Sequence, residues 1–358
     1  MKTDELDYEL PPELIAQTPA TPRDESRLLV VHGDTGQLEH RRFRDIGDYL
    51  QPGDALVPNN SRVLPARLHA HKLPTGGSLE VLLLEQEDEQ TWQALVNPGR
   101  RLADGVVVEF ERQQVFACPT DEQAAGPTDL RAQVLGRAAG GARRLRFSSA
   151  GGELEQALES FGETPLPPYI HQPLNDPERY QTVYASARGS VAAPTAGLHF
   201  TPELLRQVQV SGVRLEYVTV HIGLHTFRPI RAEEVEAHEI HRELCSVSED
   251  TARAGNSAHA TGRRVVAVGT SSVRALESAW RDGAIHPYQG WSNLYIYPGY
   301  TYHAVDALIT NFHLPRTTLL ALVSAFLSPE LIRAAYAEAI RERYRFYSFG
   351  DACLLLHA

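Results

Sequence analysis

Val265-Val266-Ala267-Val268-Gly269-Thr270-Ser271-Ser272 is four apolar residues, a glycine and three hydroxyl side chains. A short, unbroken apolar run ending in glycine reads as a strand buried on both faces. Hydroxyls directly after it read as the start of a helix. A buried strand feeding a helix is the repeating piece of an α/β fold. The N-terminus of such a helix also favours an anion, a carboxylate or a phosphate, and Arg274 one turn in is placed to pair with it. There is no P-loop lysine and no Gly-x-Gly-x-x-Gly, so the stretch is no nucleotide fingerprint.

Outward from this unit, helices and strands alternate from residue 153 to the end. Helices are expected near Glu153–Ser160, Pro177–Tyr184, Pro202–Val210, Glu249–Ala260, Ser271–Arg281, Thr317–Phe326 and Pro329–Arg345. Strands are expected near Val213–His221, Arg264–Val268, Leu294–Tyr297, Leu308–Thr310 and Ala352–Leu356. Residues 1–62 add a short helix near Glu13–Gln17 and a strand at Leu28–His32. Between 63 and 148 the texture changes. Leu79–Leu84, Gln93–Val96, Val106–Phe110, Gln114–Ala117 and Arg144–Phe147 are short, β-rich and separated by turn signals such as Asn97-Pro98-Gly99, which suggests a small β-barrel or sandwich. Pro119–Thr128 reads as a polar loop, and Ser148-Ser149-Ala150-Gly151-Gly152 as a hinge. The expected organisation is a discontinuous α/β domain, 1–62 with 149–358, carrying an inserted β-domain over 63–148. A length of 358 residues is consistent with two domains.

Hydrophobic residues at 42% and charged residues at 22% describe a globular chain rather than a disordered one. The net charge of −11 argues against a generally basic nucleic-acid binder, but RNA responds to local patches. Almost all positive charge is arginine, with Lys2 and Lys72 the only lysines, and arginine suits phosphates and stacked bases. Cys118, Cys245 and Cys353 form no Cys-x-x-Cys pair, which fits a reducing compartment and argues against a disulfide framework. The acidic start and the short apolar run Leu319–Leu327 suggest neither a signal peptide nor a membrane span.

Ala192-Ala193-Pro194-Thr195-Ala196-Gly197-Leu198-His199-Phe200 combines small residues with a hydroxyl and an imidazole. Small side chains leave room for a ligand against the backbone. Thr201-Pro202-Glu203 then begins a helix, so His199 sits on a constrained loop just before a helix N-terminus. His221, His238, His241 and His313 complete the set of candidate bases. His238, His241 and Glu243 could ligate a metal, but their spacing matches no strong motif. Asn59-Asn60-Ser61-Arg62 ends a buried strand, and with Arg316 it is a candidate substrate contact. Tyr347 and Asp351, within an aromatic and arginine-rich stretch near the C-terminus, are candidates for holding a cation. On these residues alone a metal-dependent hydrolase and a non-catalytic RNA-binding protein remain open beside a metal-free enzyme.

Several stretches resemble one family in order along the chain. They include Arg23-Asp24-Glu25-Ser26-Arg27-Leu28-Leu29-Val30, Tyr180-Gln181-Thr182-Val183-Tyr184, Ala192 to Phe200, and Thr226-Phe227-Arg228-Pro229. Val268-Gly269-Thr270, Tyr297-Pro298-Gly299-Tyr300 and Thr310 to Pro315 complete the set. Together they are similar to the S-adenosylmethionine:tRNA ribosyltransferase-isomerases of queuosine biosynthesis, over essentially the whole chain and least between 118 and 160. His225, Ile240, Asn60-Ser61 and His171-Gln172 depart from the family pattern.

The resemblance implies a larger α/β domain with a barrel-like sheet carrying a smaller inserted β-barrel-like domain. It also implies a transferase that uses S-adenosylmethionine as a ribosyl donor, with no metal. The acceptor would be 7-aminomethyl-7-deazaguanine at the wobble position of a tRNA anticodon loop, and the products epoxyqueuosine-tRNA, adenine and methionine. The expected catalytic base is one of His199, His221, His238, His241 and His313, with His199 first. Donor contacts are expected at Thr195, Gly197, Gly269, Thr270, Arg274, Asn311, Tyr347 and Asp351. Substrate contacts are expected at Asn59, Asn60, Arg62 and Arg316, and phosphate contacts at local arginine clusters. The chain is expected to be a cytoplasmic monomer without a membrane partner, and its turnover to titrate like a histidine.

Overall fold

Val265–Val268 is a strand whose four residues are all buried. It runs parallel to Ala55–Pro58 on one side and to Ala307–Asn311 on the other. The structure, a computed structural model, describes residues 1–99, 102–112, 129–150, 154–223 and 229–357. Within it the chain forms two units, Met1–Arg62 with Pro167–Ala358, and Val63–Leu166.

In the first unit Val265–Val268 is the third strand of a seven-stranded mixed sheet. The order is Arg214–Leu215, Ala55–Pro58, Val265–Val268, Ala307–Asn311, Ala352–Leu356, Arg27–His32 and Leu38–Arg42. Successive side chains alternate between two cores. Ala267, Val265, Leu308 and Leu355 face one core, while Val266, Val268, Ile309 and Leu354 face the other. Coverage on both faces is why the central strands carry continuous apolar sequence. A second sheet of three antiparallel strands, Val218–His221, Glu243–Val247 and Tyr288–Ser292, meets the first through a bridge between Asn59 and Val218.

The helices are α1 (Leu154–Phe161), α2 (Pro202–Val210), α3 (Glu249–Ala260), α4 (Thr270–Ala279), α5 (Thr318–Phe326) and α6 (Pro329–Arg341). Thr201, Ser248, Thr317 and Ser328 cap α2, α3, α5 and α6, each hydroxyl accepting a backbone N–H from the first turn. Helix α4 follows Val265–Val268 after one glycine and packs on both of these sheets. Among the described residues no single helix is long and apolar enough to cross a membrane; α5 and α6 pass such a test only together and bend by 112° where they meet.

The second unit is a closed six-stranded antiparallel barrel. Its strands run in the spatial order Arg67–Lys72, Gly77–Gln86, Thr91–Asn97, Arg143–Ser149, Leu130–Arg137 and Val107–Phe110, the last pairing back on the first. Alternation fills the interior with Leu68, Val81, Trp92, Val134, Leu145 and the stacked pair Phe110–Phe147. Closure removes free strand edges, so a small barrel needs no covering helix on every face. The unit runs past residue 148, because Gly162–Glu163 pairs with the barrel strand Arg67–Lys72 and α1 packs on Arg143–Ser149.

Some local expectations change. The helix expected over Pro177–Tyr184 is only a short 3-10 turn, Pro177–Tyr180, closed by extended Gln181. The strand expected at Leu294–Tyr297 is irregular, and the real one precedes it at Tyr288–Ser292. Ser148 and Ser149 end a barrel strand instead of opening a hinge. The expected loop Pro119–Thr128, the strand Gln114–Ala117, Gly151 and Gly152 lie outside the described residues.

Candidate active site

In α/β sheets ligands bind beyond the carboxyl ends of parallel strands. A solvent-open cleft of about 670 Å³ lies there in the first unit, at the ends of Val265–Val268 and Ala307–Asn311. One wall is Ala193, Pro194, Thr195 and Ala196; a second is Gly269, Thr270, Ser271 and Arg274; a third is Thr310 to Leu314. Tyr169, Ile222, Glu243, Leu319, Tyr347 and Ser348 complete it.

Small residues in Ala192–Phe200 serve close packing. A Cβ on Gly197 would lie 2.0 Å from the Tyr184 hydroxyl oxygen, so Gly197 supports the wall from behind. Gly269, the N-cap of α4, has φ 88°, the left-handed region that favours glycine, and offers no side-chain cap. The first turn of α4 therefore presents its backbone N–H groups beside the cleft, a setting that suits a carboxylate.

Asn311 ties two walls together. Its amide oxygen accepts a 3.3 Å hydrogen bond from the Thr195 hydroxyl, and its amide nitrogen donates to the Tyr347 carbonyl at 3.2 Å. The same nitrogen lies 3.2 Å from His199 Nε2, while His199 Nδ1 lies 2.8 Å from the Ser26 hydroxyl. His199 is thus buried behind Asn311 with both ring nitrogens engaged, and does not itself line the cleft. His313 does line it, with Nε2 2.8 Å from the Thr310 hydroxyl. Its backbone is clamped by two phenols: its N–H donates to the Tyr336 oxygen at 2.9 Å, and its carbonyl accepts from the Tyr8 hydroxyl.

Burial lowers both imidazoles, His199 to about 4 and His313 to about 3, because the low-dielectric interior disfavours the cation. Both rings are neutral at pH 7, and neither has the near-neutral titration expected from sequence. The unfolded chain takes up these protons near pH 6.5. The stability they contribute is complete above that pH and falls as pH drops from about 6.5 through 4 and 3. For His199 the full shift corresponds to on the order of 3 kcal/mol. His259, raised by its bond to Asp306, contributes in the opposite direction. The urea midpoint should therefore fall between pH 7 and pH 5, and less so in His199→Gln. Equal pH dependence in the variant and the parent would contradict a buried neutral ring.

Arg274 reaches the cleft already paired. Its guanidinium forms a buried ion pair with Glu243 and donates to the carbonyls of Leu294 and His241 at 3.2 Å and of Ser292 at 3.4 Å. Its charge is matched before any ligand arrives, and the backbone of α4 is left as the better anion site. Glu243, which sequence reasoning named only as a metal ligand, is part of this wall, with one carboxylate oxygen 3.5 Å from His241 Nε2. The signal was present: strand alternation puts Glu243, Cys245 and Val247 on one buried face. Tyr169, Thr310, Phe312 and Ser348 were also missed, since only the fold brings them together.

The remaining sequence candidates lie outside the cleft wall. His221 rests against Gly189 with Nδ1 buried and unbonded, and the His238 ring stands 5.8 Å from that of Tyr295. Asp351 is buried, accepting from the backbone of Arg27 at 3.0 Å and of Arg345 at 2.8 Å. Asn59 spends its amide on Val220, Ser61 and Ser271, stitching the two sheets together. Asn60 accepts from Thr219, Arg62 pairs with Glu178, and Arg316 pairs with Asp4 at 3.1 Å. His225 lies outside the described residues. Among the described residues no group of three or more His, Cys, Asp or Glu side chains is arranged to hold a metal ion.

Known proteins share this chain's sequence throughout. A family model described as queuosine biosynthesis protein matches residues 3–355. The chain is 51% identical over 357 residues to the S-adenosylmethionine:tRNA ribosyltransferase-isomerase of Moorella thermoacetica, covering 99% of this chain and 100% of that one. It is 50% identical to the protein of the same name from Symbiobacterium thermophilum, with the same coverage. Among solved structures it is similar to an S-adenosylmethionine tRNA ribosyltransferase from Thermotoga maritima, at 39% identity and a TM-score of 0.55, covering 98% of this chain and 100% of that one.

Proposed function

The chain belongs to the queuosine biosynthesis protein family and is an S-adenosylmethionine:tRNA ribosyltransferase-isomerase, and from that premise we propose how its cleft carries the reaction. The donor is S-adenosylmethionine. Its methionine carboxylate sits on the backbone N–H groups of Thr270 and Ser271 at the start of α4. Its adenine packs among the aromatic and apolar groups Tyr347, Phe312 and Leu314. The observation that carries this reading is one cleft combining an uncapped helix N-terminus with a neutral imidazole, that of His313.

A sulfonium acidifies the hydrogens on the adjoining ribosyl carbon. His313 takes one of these protons and becomes an imidazolium, leaving an ylide carbon. The electron pair then opens the ribose ring and adenine departs with the electrons of its glycosidic bond. As adenine leaves it takes up the proton, and the freed ring oxygen becomes an aldehyde beside a vinyl sulfonium. The aminomethyl nitrogen of 7-aminomethyl-7-deazaguanine in the tRNA adds to the vinyl carbon and loses a proton. The ylide carbon so formed closes onto the aldehyde carbon, and the resulting alkoxide displaces the sulfur, so that methionine leaves as a neutral thioether and the epoxide remains. Thr195 and Asn311 hold the wall beside the ribose, and the Thr310 hydroxyl orients the His313 ring. The enzyme acts in the cytoplasm as a monomer, and no step requires a metal.

Incubated with S-adenosylmethionine and tRNA bearing 7-aminomethyl-7-deazaguanine, in the presence of a chelator, the protein should release adenine and methionine in equal amounts. Methyl transfer to the RNA, or no adenine release with the correct tRNA, would overturn the assignment.

A further inference from the structure

The three-stranded sheet has one face against α4 and, among the described residues, no helix packed on the other. Alternation along Glu243–Val247 puts Glu243 and Cys245 inward and Leu244 and Ser246 outward. In register, His221 stands opposite Leu244, and Leu244 opposite Trp291, so these three form one row across the outer face. Thr219, Ser246 and Gln289 form the next row. Trp291 is 43% exposed and Leu244 37%, two adjoining large apolar side chains left open to solvent. Single exposed apolar residues are ordinary, but an exposed pair in one cross-strand row is a patch.

The Arg242 guanidinium lies 4.4 Å from the centre of the Trp291 ring. Arg188 is exposed beside Gly189, which packs on His221 at the other end of the row. None of the six side chains in the two rows is acidic, although the chain as a whole carries −11. The patch therefore presents an exposed indole with an exposed amide, that of Gln289, near it, and is flanked by cations. Those are the properties that hold unstacked bases and their phosphates.

Resting on the tRNA reading above, we propose that this outer sheet face is the docking surface for single-stranded nucleotides of the anticodon loop, with one base stacked on the Trp291–Arg242 pair. Position supports the choice of partner. The strand that exposes Leu244 carries Glu243, one residue earlier and on the opposite face, into the wall of the reaction cleft. A loop nucleotide held on Trp291 thus lies one strand away, directly opposite Leu244, from the strand that carries Glu243 into the cleft wall.

The test uses the full-length protein, an anticodon stem-loop RNA and S-adenosylmethionine as separate probes. Trp291→Ala should weaken RNA binding about fivefold or more, the scale of one lost base stack. Trp291→Phe should recover most of it. Arg242→Ala should reduce the slope of log affinity against log salt by about one. Donor affinity should be unchanged in all three variants, and Trp291→Ala should raise KM for tRNA with kcat preserved. RNA affinity in Trp291→Ala equal to that of the parent would overturn the proposal. So would a change in sedimentation showing that the face joins two copies of the chain. Failure of the underlying functional reading looks different: the parent protein would release no adenine, whatever its affinity for RNA.

Discussion

His313→Gln should lower kcat by about 10²- to 10⁴-fold, the range contributed by a positioned general base. Donor affinity should stay within a few-fold of the parent, because the lost group acts mainly in the transition state. The imidazole lines the cleft beside Thr310, and burial keeps it neutral, with its pKa lowered to about 3. Such a base needs no deprotonation at working pH, so turnover should lack an acid limb of histidine origin between pH 5 and 8. Once the ylide carbon develops negative charge, it pairs with the new imidazolium and offsets the burial that disfavoured protonation. His199→Gln is the matched control, since His199 reaches the cleft only through Asn311. If His199→Gln loses the larger share of turnover at unchanged donor binding, the base is His199.

Glu243→Ala should destabilise the protein by about 3–5 kcal/mol, the usual cost of leaving a buried charge unpaired. Glu243 and Arg274 are both almost fully buried, and the guanidinium has little solvent to turn to. The carbonyls of Leu294, His241 and Ser292 accept its hydrogens but cannot neutralise it. Arg274→Met should also destabilise, by stranding the carboxylate. The double variant Glu243→Leu with Arg274→Met should regain most of the lost stability, because apolar groups of similar volume can replace a buried pair at little cost. Urea denaturation of the four proteins measures the cycle. A Glu243→Ala loss below about 1 kcal/mol would mean that the pair is hydrated rather than buried.

Strong local patterns made much of the architecture legible. Val265–Val268 could only be a central strand, because four apolar residues before a glycine need both faces covered. Thr201 marked a helix start because its hydroxyl closes the first turn without help from elsewhere. The barrel strands Arg67–Lys72 and Leu130–Arg137 escaped notice. Their inward residues include alanine, and their outward ones arginine and histidine, which carry little β preference by themselves. Barrel closure supplies the partners that make them strands. The 3-10 turn at Pro177–Tyr180 read as a helix for the converse reason: Pro and Glu start helices well, and nothing local shows that Gln181 will be extended.

Residue identity and order alone determined the α/β class, the change to β texture after residue 62, the family, and the short list of histidines. These follow from periodicity and motif, which are properties of neighbours in the chain. Only the tertiary structure decided which histidine meets the cleft, that Arg274 is already matched by Glu243, and that Asn59 and Asp351 hold the scaffold together. Those outcomes depend on pairs such as Arg274 and Glu243 or His199 and Ser26, far apart in sequence and adjacent in space. Burial then sets their charge, because an ionisable group responds to the dielectric and partners around it, and the fold alone assembles both.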